Sequence, residues 1–200
     1  GLSEAERPIL LLGGGVCSAG AQQFAAEFVQ KVHIPVVFTP AAADAYGSAH
    51  ALSIGAVGSI GGSRAGNFVL QHADYILAVG TKLCSQVTGA KDVPFAPCAR
   101  IDVVDIDAVE HRKAGVRRTV FLHADAGDFL QALCSMELSS VREEWQGQCL
   151  HWKRVFAVPE EAFVQQHAAQ NEIELYGFSY ELGKHLPEDA TVITDAGLEE

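Results

Sequence analysis

The sequence predicts an α/β domain of three layers, with a mainly parallel central sheet and helices on both faces. Three observations carry this. Short apolar runs alternate with segments of helical spacing along the first two thirds of the chain. Most of those runs are apolar at every position, as strands covered on both faces are. Turn residues, above all glycine, fall where one run gives way to the next.

The elements follow in order. Residues 7–12 are an apolar run that ends in Gly13, Gly14 and Gly15, which reads as a buried strand entering a tight turn. Residues 21–32 have helical spacing, with Phe24, Ala25, Phe28 and Val32 on one face. Residues 34–38, Ile-Pro-Val-Val-Phe, form a second, short strand. The segment 39–47 is rich in small residues and predicts one short helix. Residues 55–62 contain Gly55, Gly58, Gly61 and Gly62 and read as a loop. Ser63 has the type and place of an N-cap for a helix over 64–72, with Ala65, Phe68 and Val69 turned inward. A third strand, 75–79, ends at Gly80, and 82–97 is a long connection without clear periodicity. A fourth strand over 100–106, a fifth over 119–122 and a helix over 126–133 complete the pattern. Residues 139–156 look helical but polar, and with the charged stretch 159–174 they read as a linker. A new helix over 176–186 and a new strand over 190–194 follow. A strand so close to Glu200, and a start at Gly1, predict a piece of a longer polypeptide.

Composition narrows the function classes. The chain has 200 residues, 48% hydrophobic and 20% charged, enough to bury a core. A net charge of −11 argues against nucleic acid, whose phosphates need a basic surface. No apolar run approaches the ~18 residues of a membrane span. The five cysteines are dispersed, with no Cys-x-x-Cys pair, and fit ordinary thiols in a reducing, cytoplasmic setting. The eight histidines show no metal-ligand spacing.

The strand, glycine turn and helix opening at 7–20 are the parts that set backbone N–H groups against a phosphate. Gly13 and Gly15 take the first two places of a dinucleotide fingerprint, but the third falls on Ser18. A turn that needs small residues only for packing therefore stands as the competing reading. In parallel sheets, ligands sit beyond the strand carboxyl ends where the strand order reverses. Gly13 to Gly15, Gly80 to Lys82, Asp105, Asp107 and Asp125 all fall at such ends. Asp102, Asp105 and Asp107 could suggest a metal, but strand-end and capping roles are the favoured reading. Cys84 reads as an ordinary thiol, and Arg112, Lys113, Arg117 and Arg118 as a solvated basic patch. Trp145 and Trp152, seven apart, share a helical face and predict packing against a neighbouring domain or subunit.

The ordered set of segments resembles the central domain of thiamine-diphosphate-dependent enzymes of the acetolactate synthase type. The resemblance rests on Arg7-Pro8 with the glycine triplet, Ile34-Pro35-Val36-Val37, and Gly55-x-x-Gly58-x-x-Gly61 with Ala65 and Asn67. Ala73-Asp74, Ala78-Val79-Gly80-Thr81, Val87-Thr88-Gly89, Phe95-Ala96-Pro97, Asp105-Ile106-Asp107 and Ala124-Asp125-Ala126 continue it through about residue 135. The tail, from Leu186-Pro187 to Asp195-Ala196-Gly197, resembles the opening of the family's next domain, which holds the cofactor diphosphate.

The resemblance implies a Rossmann-like central domain over 1–137, a partly helical linker over 138–174, and the start of the C-terminal thiamine-diphosphate domain over 175–200. It implies a parent enzyme that uses thiamine diphosphate and Mg2+ to decarboxylate a 2-keto acid or join the product to an acceptor. Such enzymes are homodimers or homotetramers, largely through domains outside this chain. The chain itself is expected to carry no catalytic residue and no metal ligand. It would be a scaffold that holds FAD, ADP or no nucleotide. The candidate nucleotide-contact positions are Gly13, Gly14, Gly15, Gly58, Ser59, Gly61, Gly80, Thr81, Lys82, Asp105 and Asp125, of which the glycines, Asp105 and Asp125 match or nearly match the family. There are departures. FAD-binding relatives commonly follow the third strand with Arg-Phe-Asp-Asp-Arg, where this chain has Lys82-Leu83-Cys84-Ser85-Gln86. Ser59-Ile60 stands where Met-His is common. Lysine keeps the charge of arginine without its planar two-point contact. A stand-alone nucleotide-binding module and an NAD-dependent Rossmann oxidoreductase are the alternatives. The missing third glycine and the lack of an evident proton donor count against the second.

Overall fold

A computed structural model describes residues 1–89, 95–112, 116, 120–157, 173, 175–187 and 189–193. Strand β1, Pro8–Leu12, is buried at every position and lies in the middle of a six-stranded, wholly parallel sheet. Its neighbours are β2, Val36–Phe38, and β4, Tyr75–Val79, also buried throughout. Beyond β2 lies β3, Ser53–Ala56; beyond β4 lie β5, Arg100–Asp105, and β6, Val120–His123. The spatial order is β3-β2-β1-β4-β5-β6, so the chain winds outward from β1, crosses back, and reverses between β1 and β4. That reversal is the switch point at which such sheets open a crevice.

In parallel sheets of this kind, right-handed crossovers put helices on both faces. The glycine turn opens α1, Gly14–Ser18, and α2 follows over Gln22–Val32 with Ala25, Phe28, Val29 and Val32 buried. Helix α3, Arg64–His72, carries the return from β3 to β4. A short α4, Ser85–Thr88, lies in the connection after β4, and α5, Ala126–Ser135, packs on α2. Helix α6, Glu143–Val155, packs on α3 and β3. The expected three-layer, Rossmann-like α/β architecture is therefore present, with its sheet parallel throughout.

Several local expectations are corrected. The short helix expected over 39–47 is a single 3-10 turn, Pro40–Ala42. The segment read as a loop from Gly55 begins inside β3. Its pairing with β2 shifts register between Val36 and Val37, and a Cβ at Gly66 would strike the Ala56 carbonyl oxygen. The glycines here let α3 approach the edge strand. Ser63 does cap α3, accepting the Gly66 N–H at 3.0 Å. Phe68 does not turn inward: it is 44% exposed, stacked on His72 and edge-on to Trp152. Of the fifth-strand residues, Thr119 lies outside the described residues, and the strand runs to His123.

The expected linker opens with α6, and this helix packs on the sheet unit. One compact unit runs from Gly1 to Val155 and so includes α6. The buried stripe of this helix is narrow, Trp145 and Cys149, with Val141 buried just before it, which left the segment looking polar. Trp145 donates its indole N–H to the Pro8 carbonyl at 3.0 Å in a buried contact, and Trp152 meets it edge-on. Both tryptophans thus pack within this unit. The Val141 N–H bonds the Val32 carbonyl at 2.7 Å, and the Lys153 ammonium donates to the His50 carbonyl at 2.9 Å.

A second unit, Phe156–Glu200, contains α7, Leu175–His185, at the place a new helix was expected. Residues 190–193 form no strand, and Thr194 lies outside the described residues, as does 159–174 apart from Ile173. Among the described residues no helix is long and apolar enough to cross a membrane.

Candidate functional site

The crevice at the β1/β4 switch point is built from two glycine turns that meet backbone to backbone. The Gly13 N–H bonds the Val79 carbonyl at 2.9 Å, and the Gly15 N–H bonds the Gly80 carbonyl at 2.9 Å. The Val16 N–H closes the turn on the Gly13 carbonyl at 3.0 Å. A Cβ at Gly13 would run into the Gly80 carbonyl oxygen, and one at Gly15 would lie 2.8 Å from the Gly80 Cα. Gly80 itself has φ +64° and would place a Cβ 2.8 Å from the Val16 nitrogen. Gly14 faces the 3-10 turn, with the Ala41 carbonyl oxygen 3.1 Å from its ideal Cβ. Thr81, next to Gly80, is buried, and its hydroxyl faces the Leu83 N–H at 3.4 Å. Lys82 is exposed.

The second glycine cluster is clasped to its surroundings in the same way. Asn67 on α3 bonds both sides of Gly58, accepting its N–H at 3.0 Å and donating to its carbonyl at 2.9 Å. A Cβ at Gly58, where φ is +141°, would lie 2.7 Å from the Gln86 carbonyl oxygen. That same oxygen accepts the Ser59 N–H at 2.7 Å and the Ser59 hydroxyl at 3.0 Å. Gly61, at φ +70°, would strike Pro40 with a Cβ at 2.9 Å.

The three aspartates of β5 and its exit do not form one site. Asp102 sits in mid-strand opposite Leu77, where it accepts the Tyr75 hydroxyl at 3.1 Å and pairs with Arg100 at 3.1 Å. Burial, and then the Asp102 charge, raise the Tyr75 pKa. Asp105 ends the strand and is only 9% exposed. Its carboxylate accepts the Asp107 N–H at 2.8 Å and faces the His111 Nε2 at 3.6 Å. His111 is stacked on Phe121, and neither ring nitrogen has a hydrogen-bond partner among the described residues. Asp107 caps the following turn, accepting the Val109 and Glu110 N–H groups at 3.0 and 2.9 Å. Asp125 caps α5, accepting the Gly127 and Asp128 N–H groups at 2.7 and 3.2 Å.

No group of three metal-ligating side chains occurs among the described residues. Cys84 is exposed, and Cys17 bonds the Asp44 carboxylate at 3.1 Å. Burial, and then that bond, push the Cys17 thiol up to about 11, away from thiolate chemistry. Of the basic patch, Arg112 is exposed, and Lys113, Arg117 and Arg118 lie outside the described residues, as do Asp195 and Gly197. Sequence reasoning missed His111 beside Asp105, because a lone histidine six residues past a strand-end carboxylate has no recognisable spacing. It also missed the clasp of Asn67 on Gly58, although the two residues stand in one motif.

Residues 1–133 match the family described as the thiamine pyrophosphate enzyme, central domain. The chain belongs to this family. It is 31% identical over 196 residues to the acetolactate synthase isozyme 1 large subunit of Escherichia coli K12, covering 98% of this chain and 33% of that protein. It is 35% identical over 149 residues to a probable acetolactate synthase large subunit of Methanocaldococcus jannaschii, covering 72% of this chain and 24% of that protein. The acetolactate synthase large subunit of Lactococcus lactis is 29% identical over 197 residues, again at 33% of its length. The chain thus spans a third or less of these relatives.

The family raises the question of FAD or ADP in the crevice, and the donor set does not fit a dinucleotide. A Cβ at Gly13, Gly15 or Gly58 would meet backbone of the opposing loop, Asp105 is buried on the Asp107 N–H beside His111, and one oxygen of Asp125 caps α5.

Proposed function

We propose that this chain is the non-catalytic central scaffold of a thiamine-diphosphate-dependent enzyme that decarboxylates a 2-keto acid or joins the product to an acceptor. The observation that carries this reading is the coincidence of two facts. The unit with strand order β3-β2-β1-β4-β5-β6 contains the whole family match, 1–133. Within it, Asp105, Asp107, Asp125 and Ser59 at the strand carboxyl ends are bonded to backbone groups of turns and helices, which supports a scaffold role.

Thiamine diphosphate, when bound with Mg2+, supplies the electron sink for loss of CO2 from the keto acid. Its site belongs to regions other than the Gly1–Val155 unit. The part of that unit is to hold rigid elements at fixed separations, for which a parallel sheet with fully buried central strands is well suited.

The test is a CO2-release assay on the 200-residue chain with thiamine diphosphate, Mg2+ and a panel of 2-keto acids. No turnover is expected from the chain alone, and turnover is expected once it is joined to the flanking regions of a relative. Hydride transfer from NADH by the chain alone would overturn the proposal in favour of an oxidoreductase.

A further inference from the structure

An adenine dinucleotide makes three demands on a switch-point crevice. Its diphosphate needs empty space above a glycine and several unpaired N–H groups. A ribose needs an accessible carboxylate at a strand end. Each loop that borders the ligand must leave room for it. Resting on the reading of this chain as a thiamine-enzyme central domain, we infer that the domain works without a bound flavin or adenine nucleotide, its crevice being filled by its own backbone.

The space is taken first. Gly13 and Gly15 are glycines because Gly80 lies against them, and Gly80 is glycine because Val16 lies against it. The two loops interlock, each lacking a Cβ where the other passes. The donors are taken as well: the Gly13 and Gly15 amides bond β4 and its exit, and the Val16 amide bonds Gly13. Among the described residues the triplet keeps at most the Gly14 amide, one donor where a diphosphate takes several. The carboxylate is turned inward. Asp105 is buried on the Asp107 N–H and His111, and Asp125, although exposed, is held by one oxygen on two N–H groups at the start of α5. The outer loop is closed too, because Ser59 gives both its N–H and its hydroxyl to Gln86. The residue identities agree: Lys82 and Gln86 stand at the ends of the stretch after β4, where a planar guanidinium would give a two-point phosphate contact that neither can make.

FAD, ADP and NAD are titrated in parallel, by calorimetry and for FAD by flavin fluorescence, into the 200-residue chain and into any longer natural polypeptide that carries it. The inference predicts no saturable heat and no fluorescence change up to about 1 mM ligand. It also predicts a melting temperature that none of the three moves, since a ligand that binds the folded state must raise it. Saturable binding of FAD or ADP to either sample overturns the inference and leaves the thiamine-enzyme reading standing. NAD binding with hydride transfer overturns both.

Discussion

Gly15 and Gly20 separate two reasons for being glycine. Gly15 sits where a Cβ would lie 2.8 Å from the Gly80 backbone, whereas Gly20, at φ +63°, has nothing within 4 Å. Gly15→Ala must push two loops apart and is predicted to cost about 1–3 kcal/mol, as overpacking does. Gly20→Ala meets only the left-handed backbone penalty of roughly 1–2 kcal/mol. Urea unfolding of the two variants checks this, and the Gly15 variant alone should also disturb the Gly80 amide in an NMR spectrum. Asp107 gives a residue-scale pH prediction. The Glu110 N–H, followed by that of Val109 and the Lys82 charge, holds its carboxyl below the usual value despite some desolvation. A depressed folded pKa stabilises the fold above the unfolded value of about 3.9 and loses that contribution as pH falls further toward the folded value. Asp107→Asn should therefore flatten the loss of stability between about pH 5 and pH 2, read as urea midpoints across that range. The sequence exposed these residue types but not their partners. Asp102, Asp105 and Asp107 look like one acidic cluster along the chain, yet Asp102 sits in mid-strand opposite Leu77 and bonds Tyr75, whereas Asp105 ends the strand and bonds Asp107.

At the scale of elements, legibility followed how much apolar surface a segment buries. Strands β1 and β4, buried at all five positions each, matched expectation almost to the residue. Strand β3 was hidden because its glycines, which serve the approach of α3, carry the signal of a loop. Helix α6 was legible as a helix, but its packing was not, because only a narrow stripe of it faces inward. That helix is predicted to be integral. Trp145 is 5% exposed, and Trp145→Ala should cost roughly 3–5 kcal/mol, the penalty for emptying a core aromatic site. Gly147, on the exposed face with nothing within 4 Å, should behave oppositely, with Gly147→Ala stabilising by roughly 0.5–1 kcal/mol. Chemical denaturation of both variants checks the pair. Equal, negligible effects would mean that α6 is the linker its composition suggested.

For the whole molecule, the order of segments was more informative than any one motif. A lone glycine fingerprint left a packing turn and a nucleotide cradle equally open, and in the structure Gly80 packs where a Cβ at Gly13 or Gly15 would lie. The same glycine spacing serves both outcomes, because close approach by a backbone and close approach by a phosphate both demand the absence of a Cβ. Only the coordinates of the opposing loop distinguish them. The ordered series from Arg7 to Asp125, by contrast, pointed to the thiamine pyrophosphate enzyme family that the match over 1–133 establishes. The central claim is that this sheet is the scaffold of such an enzyme. The most direct measurement is CO2 release from 2-keto acids by the natural polypeptide that carries the sequence, with thiamine diphosphate and Mg2+ added or withheld and NADH oxidation followed in parallel. The account predicts release that depends on both additions and no oxidation of NADH. Release indifferent to thiamine diphosphate, or hydride transfer in its place, would contradict it.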